Sequence, residues 1–365
     1  MSTAVSAAPV GESVAGRRLS WTGRWRSWAE AALPTVIALA VAAVIFAAFL
    51  LAAGADPLEV YGLIWTGAFA SWFSIQNTLL RAAPLLLVAL CTALPARLGL
   101  LIIGGEGAIV FGGLAAAATG VLLVDAPFVP AMLLMALASM LAGAVLIALA
   151  GWLRHARGVN ETIASLLLAN IAIAVFNHLV EGPLRDPASQ NKPSTASIGD
   201  DHMIGLIPGT DVHWGLAIGV IVCLAMAVLM RKTTFGFAAR MVGGNARAAR
   251  LAGLPIGRLV IAVCALAGAA GGLAGMIEVA AIHGRANASL STGVGYTGIL
   301  VAFLARHEPA AVIPVAILFG GINAAGGLLQ RRLDLPDATV LVLQGVLFVV
   351  LLASETLRGR SLLRR

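Results

Sequence analysis

Residues Leu94–Ala118 read LPARLGLLIIGGEGAIVFGGLAAAA. The stretch is apolar enough to enter a bilayer, yet Glu106 sits inside it among Gly104, Gly105 and Gly107. An ionisable side chain at membrane depth is costly, so it faces a cavity or a protein partner rather than lipid. The glycines either let helix backbones approach closely or let the helix break. At the rise of an α-helix, Glu106 lies about 10 Å from the near end of its span. It must be protonated, bonded to helix ends or paired, and Arg81, Arg97 and Arg157 are its candidate counter-ions.

The surrounding chain has the same character. Of 365 residues, 60% are hydrophobic and 11% charged, with a mean hydropathy of +0.95. A soluble domain carries about 25% charged residues. The expected fold class is an all-α polytopic integral membrane protein with broken or re-entrant segments. A crossing needs about 20 apolar residues, and about ten runs qualify: 33–54, 76–96, 99–124, 128–152, 160–181, 213–230, 257–281, 286–305, 309–329 and 338–357. The eighth has a polar first half, with Asn287, Ser289, Ser291 and Thr292, and reads either as a span or as a re-entrant segment followed by a short helix. The run 33–54 exceeds the roughly 7–15 residues of a signal-peptide core and is expected to stay as a helix. Residues 1–30 and 358–365 form basic tails around a transmembrane domain over 31–357.

The net charge of +7 does not call for nucleic acid, because cytoplasmic loops of membrane proteins collect Lys and Arg. Of the 24 basic residues, six (Arg81, Arg185, Lys192, Arg285, Arg331, Arg332) fall on or near the outer side, leaving 18 inside when both termini are cytoplasmic. Two aromatic stripes suit the lipid interface: Tyr61, Trp65, Phe69 and Trp72 on an outer interfacial helix over 58–73, and Trp21, Trp25 and Trp28 with Arg17 and Arg24 inside. Cys91, Cys223 and Cys264 stand singly, and the six histidines show no metal spacing, so neither a disulfide framework nor a metal site nor a cofactor is indicated.

Two loops stand out. The outer one, 182–212, holds four prolines and Arg185, Asp186, Asp200, Asp201 and Asp211. It is either a contact for a soluble partner or a solvated connector. The inner one, 231–258, reads RKTTFGFAARMVGGNARAARLAGLPIGR. Asn245 is a candidate N-cap, Ala246–Ala252 a run of helix formers, Gly253 a natural stop, and Pro255 cannot continue the helix. A short capped helix outside the membrane suits a knob seated in another protein; the plainer alternative is a cationic turn.

These motifs resemble those of the ABC-transporter permeases that import nucleosides and simple sugars, within the branched-chain amino acid/ribose-type superfamily. That family shows Gly-Leu-x-Asn-Ile-Gly-x-Glu-Gly-Gln where this chain runs from Gly99 to Ala108, with Ile102 for Asn and Ala108 for Gln. Its inner loop matches at Thr233, Gly236, Arg240, Val242, Gly243, Asn245, Ala248, Ala249, Ala252 and Gly253, with Ala246 where Pro is usual. GVNETIASLLLAN (158–170) and GYTGILVAFLARHEP (295–309) are similar to two further family stretches. Gly182–Pro187 resembles the outer loop of the larger of two paired permeases. The resemblance covers residues 33–357. It implies that the inner loop couples to an ABC ATPase through Arg240, Gly243, Asn245, Ala248, Ala249, Ala252 and Gly253. It further implies a second permease subunit, an extracytoplasmic substrate-binding protein, surrounding membrane lipid and a multi-pass place in the bacterial plasma membrane.

Asn77, Glu106, Asn170, Asn323 and Gln344 are the substrate-path candidates. Amides offer donors and acceptors without fixed charge, which suits a neutral hydroxyl-rich cargo; alternatively they bond neighbouring helices. No Gly-x-x-x-x-Gly-Lys-Ser/Thr occurs, so the chain is expected not to be an enzyme, with ATP hydrolysed by a partner. An ion-coupled secondary transporter using Glu106 and Glu278 would explain broken spans but not the capped inner helix. A membrane glycosyltransferase would need a cluster such as Asp186, Asp200, Asp201, His202 and Asp211 to form a site.

Overall fold

The computed structural model describes residues 21–189, 192–336 and 338–362, with side chains described within 36–354. The helices are α1 (Trp21–Ala52), α2 (Pro57–Phe69), α3 (Trp72–Ala96), α4 (Gly105–Leu122), α5 (Phe128–Arg157), α6 (Glu161–Glu181), α7 (Gly215–Lys232), α8 (Thr234–Gly244), α9 (Ala246–Leu251), α10 (Ile256–Glu278), α11 (Val294–Leu304), α12 (Pro309–Leu333) and α13 (Ala338–Leu362). The chain is an all-α polytopic membrane protein. The side chains of the inner aromatic stripe, Arg17 to Trp28, and of both tails lie outside the described residues.

Ten uninterrupted crossings are not what forms. Among the described residues seven helices are long and apolar enough to cross a membrane: α3, α4, α5, α6, α7, α10 with the π turn that follows it, and α12. The α1–α2 pair, bent by 117°, makes eight if taken as one span. The eighth expected crossing is instead a 3₁₀ turn at Ala288–Leu290 and the 11-residue α11. Eleven residues rise about 16 Å, roughly half a hydrocarbon core. Gly293, at φ +85°, turns the chain into that half-helix. The apolar stretch of α13, Ala338–Ser354, is likewise shorter than a full span.

The centre is α3, α4, α5 and α10. Between Ala82 and Pro95 every residue of α3 is buried, so this helix is apolar all round because protein surrounds it all round. Its neighbours approach through glycine. A Cβ on Gly143 of α5 would lie 2.8 Å from the Gly272 nitrogen of α10, and one on Gly113 of α4 would lie 3.2 Å from the Gly275 carbonyl oxygen. Small residues four apart, Gly268–Gly272 and Gly271–Gly275, give α10 the close-packing pattern of membrane helices, where dispersion and not water drives association.

α2 is more than an interfacial helix. Val60 and Ala68 are buried, Gly67 lies against Ala325 of α12, and the Tyr61 hydroxyl donates to the Ala43 carbonyl of α1. Trp65 stays exposed, and Trp72 belongs to α3. The 182–212 segment is ordered over its described part. The Thr195, Ile198 and Ile204 amides donate to the Ala286, Gly284 and Ala280 carbonyls, and the His202 ring bonds the Ile198 and Ala126 carbonyls at 2.9 and 3.0 Å. It forms a cap across one end of the bundle, opposite α8 and α9.

Candidate functional site

Glu106 begins α4, and the start of α11 meets it head-on. Its two carboxylate oxygens accept from the Gly293 amide at 2.8 Å and the Gly295 amide at 2.6 Å. A Cβ on Gly295 would lie 2.7 Å from the Glu106 carboxylate, so only glycine admits this contact. Two helix N-termini, each carrying partial positive charge, thus share one carboxylate. Of the expected partners, none of Arg81, Arg97 and Arg157 is used; helix-end amides are. Glu106 is 1% exposed, and both its carboxylate oxygens are taken up in holding the half-helix.

The cavity lies just beyond, beneath the cap. Its volume is about 650 Å³, and it is lined by Asn77, Leu80, Arg81 and Pro84 of α3, Asn323 of α12, Glu278 and His283 at the end of α10, Asp211 and His213 of the cap, and Ser289, Thr292 and Val294 at the start of α11. Pro84 lacks the N–H that would bond Leu80, opening the α3 backbone where the cavity touches it. Thr292 and Val294 flank Gly293, so the Glu106 clasp supports one wall.

The predicted amides separate. Asn77 and Asn323 line the cavity. Gln344 is buried behind it, donating to Asn323 Oδ1 and accepting from the Thr297 hydroxyl at 3.0 Å, which orients Asn323. Asn170 does not join them. It sits on the exposed side of α6 and donates to the Leu166 carbonyl one turn back.

His213 was not foreseen. It is 1% exposed, both ring nitrogens lack a partner among the described residues, and the ring faces the cavity. Burial pushes its pKa below the ordinary value, with the Glu278 carboxylate opposing that shift. Only Gly215 leaves room for the ring, since a Cβ there would lie 2.6 Å from Nδ1. Glu278 and His283 stand 3.5 Å apart, and the Gln76 amide links Asp211 to the Trp72 indole at 2.7 Å each. Donors, acceptors and both signs of charge therefore meet in one chamber. By contrast, His202 is spent on two carbonyls and Asp186 on the Ala188 amide, so the acidic residues of the cap form no catalytic cluster among the described residues.

At the opposite end the coupling candidates divide in two. Arg240 donates to the Met230 carbonyl, Gly243 rests on the Arg97 carbonyl, and Ala249 is fully buried. These three fasten the loop to its own bundle, and Ala249 faces inward. Asn245 caps α9, accepting from the Arg247 and Ala248 amides at 3.0 and 3.1 Å. Gly253 takes φ +78° after the helix. The outward face carries Ala248, Ala252 and Leu251, the last 91% exposed. Glu308, before α12, pairs with Arg97 at the end of α3 and with Arg231 at the end of α7. The loop is thereby joined to three helices, two of which line the cavity.

Known proteins bear on this arrangement. The model of the family described as branched-chain amino acid transport system / permease component matches residues 74–352. The glucose ABC transporter permease protein TsgB13 of Haloferax volcanii is 34% identical over 91% of this chain and 88% of its own length. The guanosine permease NupP of Bacillus subtilis is 25% identical over 89% and 94%, and the nucleoside permease NupB of Lactococcus lactis 27% identical over 87% and 90%. With its apolar helices, its half-helix clasp and a match over most of its length, the chain belongs to this family and is a multi-pass permease subunit of an ABC transporter.

Proposed function

We propose that the cavity beneath the cap receives a neutral, hydroxyl-rich cargo, a nucleoside or related simple sugar, and that α8 and α9 couple its passage to a separate ATPase. The carrying observation is the chamber itself: two amides, a buried imidazole without a partner and a carboxylate pair share about 650 Å³. Sugars and nucleosides offer rigid arrays of hydroxyls that such groups bind, and relatives are named for glucose, guanosine and nucleosides. A second permease completes the path, an external binding protein delivers cargo to the cap, and the basic end faces the cytoplasm of a bacterial plasma membrane.

The test is uptake in vesicles containing this chain with its ATPase and second permease, supplied with binding protein. Uptake of glucose or guanosine should require ATP and survive ionophores that collapse proton and sodium gradients. Uptake by this chain alone, driven by a proton gradient, would overturn the proposal in favour of ion coupling.

A further inference from the structure

A second depression lies at the opposite end of the bundle from the cargo chamber. It occupies about 480 Å³ between the last turn of α5, α9 and the first turn of α10, and its walls include Trp152, His155, Arg250, Ile256, Arg258 and Ile261. No carboxylate lines it. Arg250, Arg258 and His155 have neither an ion pair nor a side-chain hydrogen bond among the described residues, whereas neighbouring Arg154 is already paired with Glu161 at 3.3 Å. The groove is a formed one. The His155 ring lies directly on Gly257, where a Cβ would be 2.6 Å from its Cδ2. α10 starts at Ile256, after Pro255, with no side-chain cap; the Ile256 amide bonds the Leu254 carbonyl, and the next amides meet no side-chain acceptor among the described residues. An anion with several oxygens would satisfy two guanidinium forks and the helix end together.

The groove also continues into the bilayer. Trp152 is 42% exposed, and Leu149 and Val145, at 39% and 66%, follow it along the same face of α5 toward mid-membrane. A tryptophan at the boundary, cations on one side and an exposed apolar stripe on the other match the headgroup, glycerol and acyl regions of a lipid. We propose that this groove holds an anionic phospholipid, its phosphate between Arg250 and Arg258 and one acyl chain along Trp152, Leu149 and Val145. An acidic surface of the ATPase is the competing occupant. The stripe argues against it, because a soluble protein cannot follow α5 into the hydrocarbon. The outward pole of α9 is also Leu251 rather than Arg250. The inference rests on the membrane reading and not on the cargo.

The experiment uses the intact transporter complex, purified in detergent and incubated with equimolar phosphatidylglycerol and phosphatidylcholine of identical chains; retained lipid is measured by mass spectrometry. Wild type should prefer phosphatidylglycerol. Arg250→Gln with Arg258→Gln should lower that preference by about fivefold or more, the factor one cation beside an anionic lipid supplies. Arg250→Lys with Arg258→Lys should retain most of it, and Arg285→Gln, which lies elsewhere, should leave it unchanged. Millimolar glycerol phosphate should fail to displace the lipid; displacement would mean a soluble anion site and overturn the proposal. So would equal retention of both lipids by wild type. Loss of ATPase from the Gln pair with unchanged lipid retention would assign the groove to the ATPase and overturn it as well.

Discussion

At the scale of single residues, Glu106 carries the largest local stake. Its carboxylate accepts from two amides that have no other acceptor when α11 starts where it does. Glu106→Gln keeps the volume but replaces one acceptor with a donor facing a donor. Each orphaned buried amide costs about 1–3 kcal/mol. The variant should insert but unfold in detergent at a lower temperature, with transport reduced; an unchanged melting temperature would show the clasp to be dispensable. His213 and His307 act through pH. Burial lowers both pKa values, with Arg97 adding to the shift at His307. A histidine depressed in the fold stays neutral there while the unfolded chain protonates, so stability is full above the ordinary value of 6.5 and declines as pH falls below it. Melting temperature measured from pH 7.5 down to 5.5 should fall, and the fall should shrink in His213→Gln. Neither residue's role is legible in spacing. The partners of Glu106 lie 187 and 189 residues away, and a lone histidine beside a span looks like any other until burial is known. Asn170 shows the converse. Its depth can be counted along the helix, but the residues around it on α6 are mostly apolar, and nothing in the sequence says which face meets protein.

At the scale of elements, the capped inner helix was readable because its signals are local. An amide side chain, a run of alanines and a glycine each act within one turn, and α9 forms with Asn245 as its cap and Gly253 left-handed at its end. What local rules could not supply is which side of that turn faces the bundle. Ala249 faces inward and Leu251 outward, so the test of coupling belongs at Leu251. Leu251→Asp should abolish ATPase co-purification without affecting insertion, since the side chain touches little of its own chain. Gly253→Val should do the same by forcing a β-branched residue into positive φ, at a cost of about 1–3 kcal/mol. Retained ATPase with normal cargo stimulation in both would remove α9 from the coupling role. The span count failed for a related reason. Hydropathy records apolar length, and it cannot separate a crossing from a half-helix that ends against a carboxylate inside the protein.

At the scale of the whole molecule, the two ends differ in kind. One is closed by an ordered cap that bonds the 279–287 segment and roofs a polar chamber; the other bears α8, α9 and the Arg97–Glu308–Arg231 link. A permease worked by an ATPase needs such asymmetry, because cargo and nucleotide arrive from opposite sides. The basic residues suggest which side is which: Arg154, Arg157, Arg231, Lys232, Arg247, Arg250 and Arg258 gather at the α8–α9 end, and short-loop Lys and Arg set orientation. The prediction is that Arg247 faces the cytoplasm and Asp201 the outside. Cys91, Cys223 and Cys264 are buried, so they add little background to thiol labelling. Arg247→Cys and Asp201→Cys each place a thiol at an exposed position without disturbing a described contact. In intact cells an impermeant maleimide should label the Asp201→Cys protein and spare the Arg247→Cys protein; after lysis it should label both. Labelling of both before lysis would break the topology, and labelling of Arg247→Cys alone would invert it, placing the α8–α9 end where no ATP is found and removing it from the proposed coupling role.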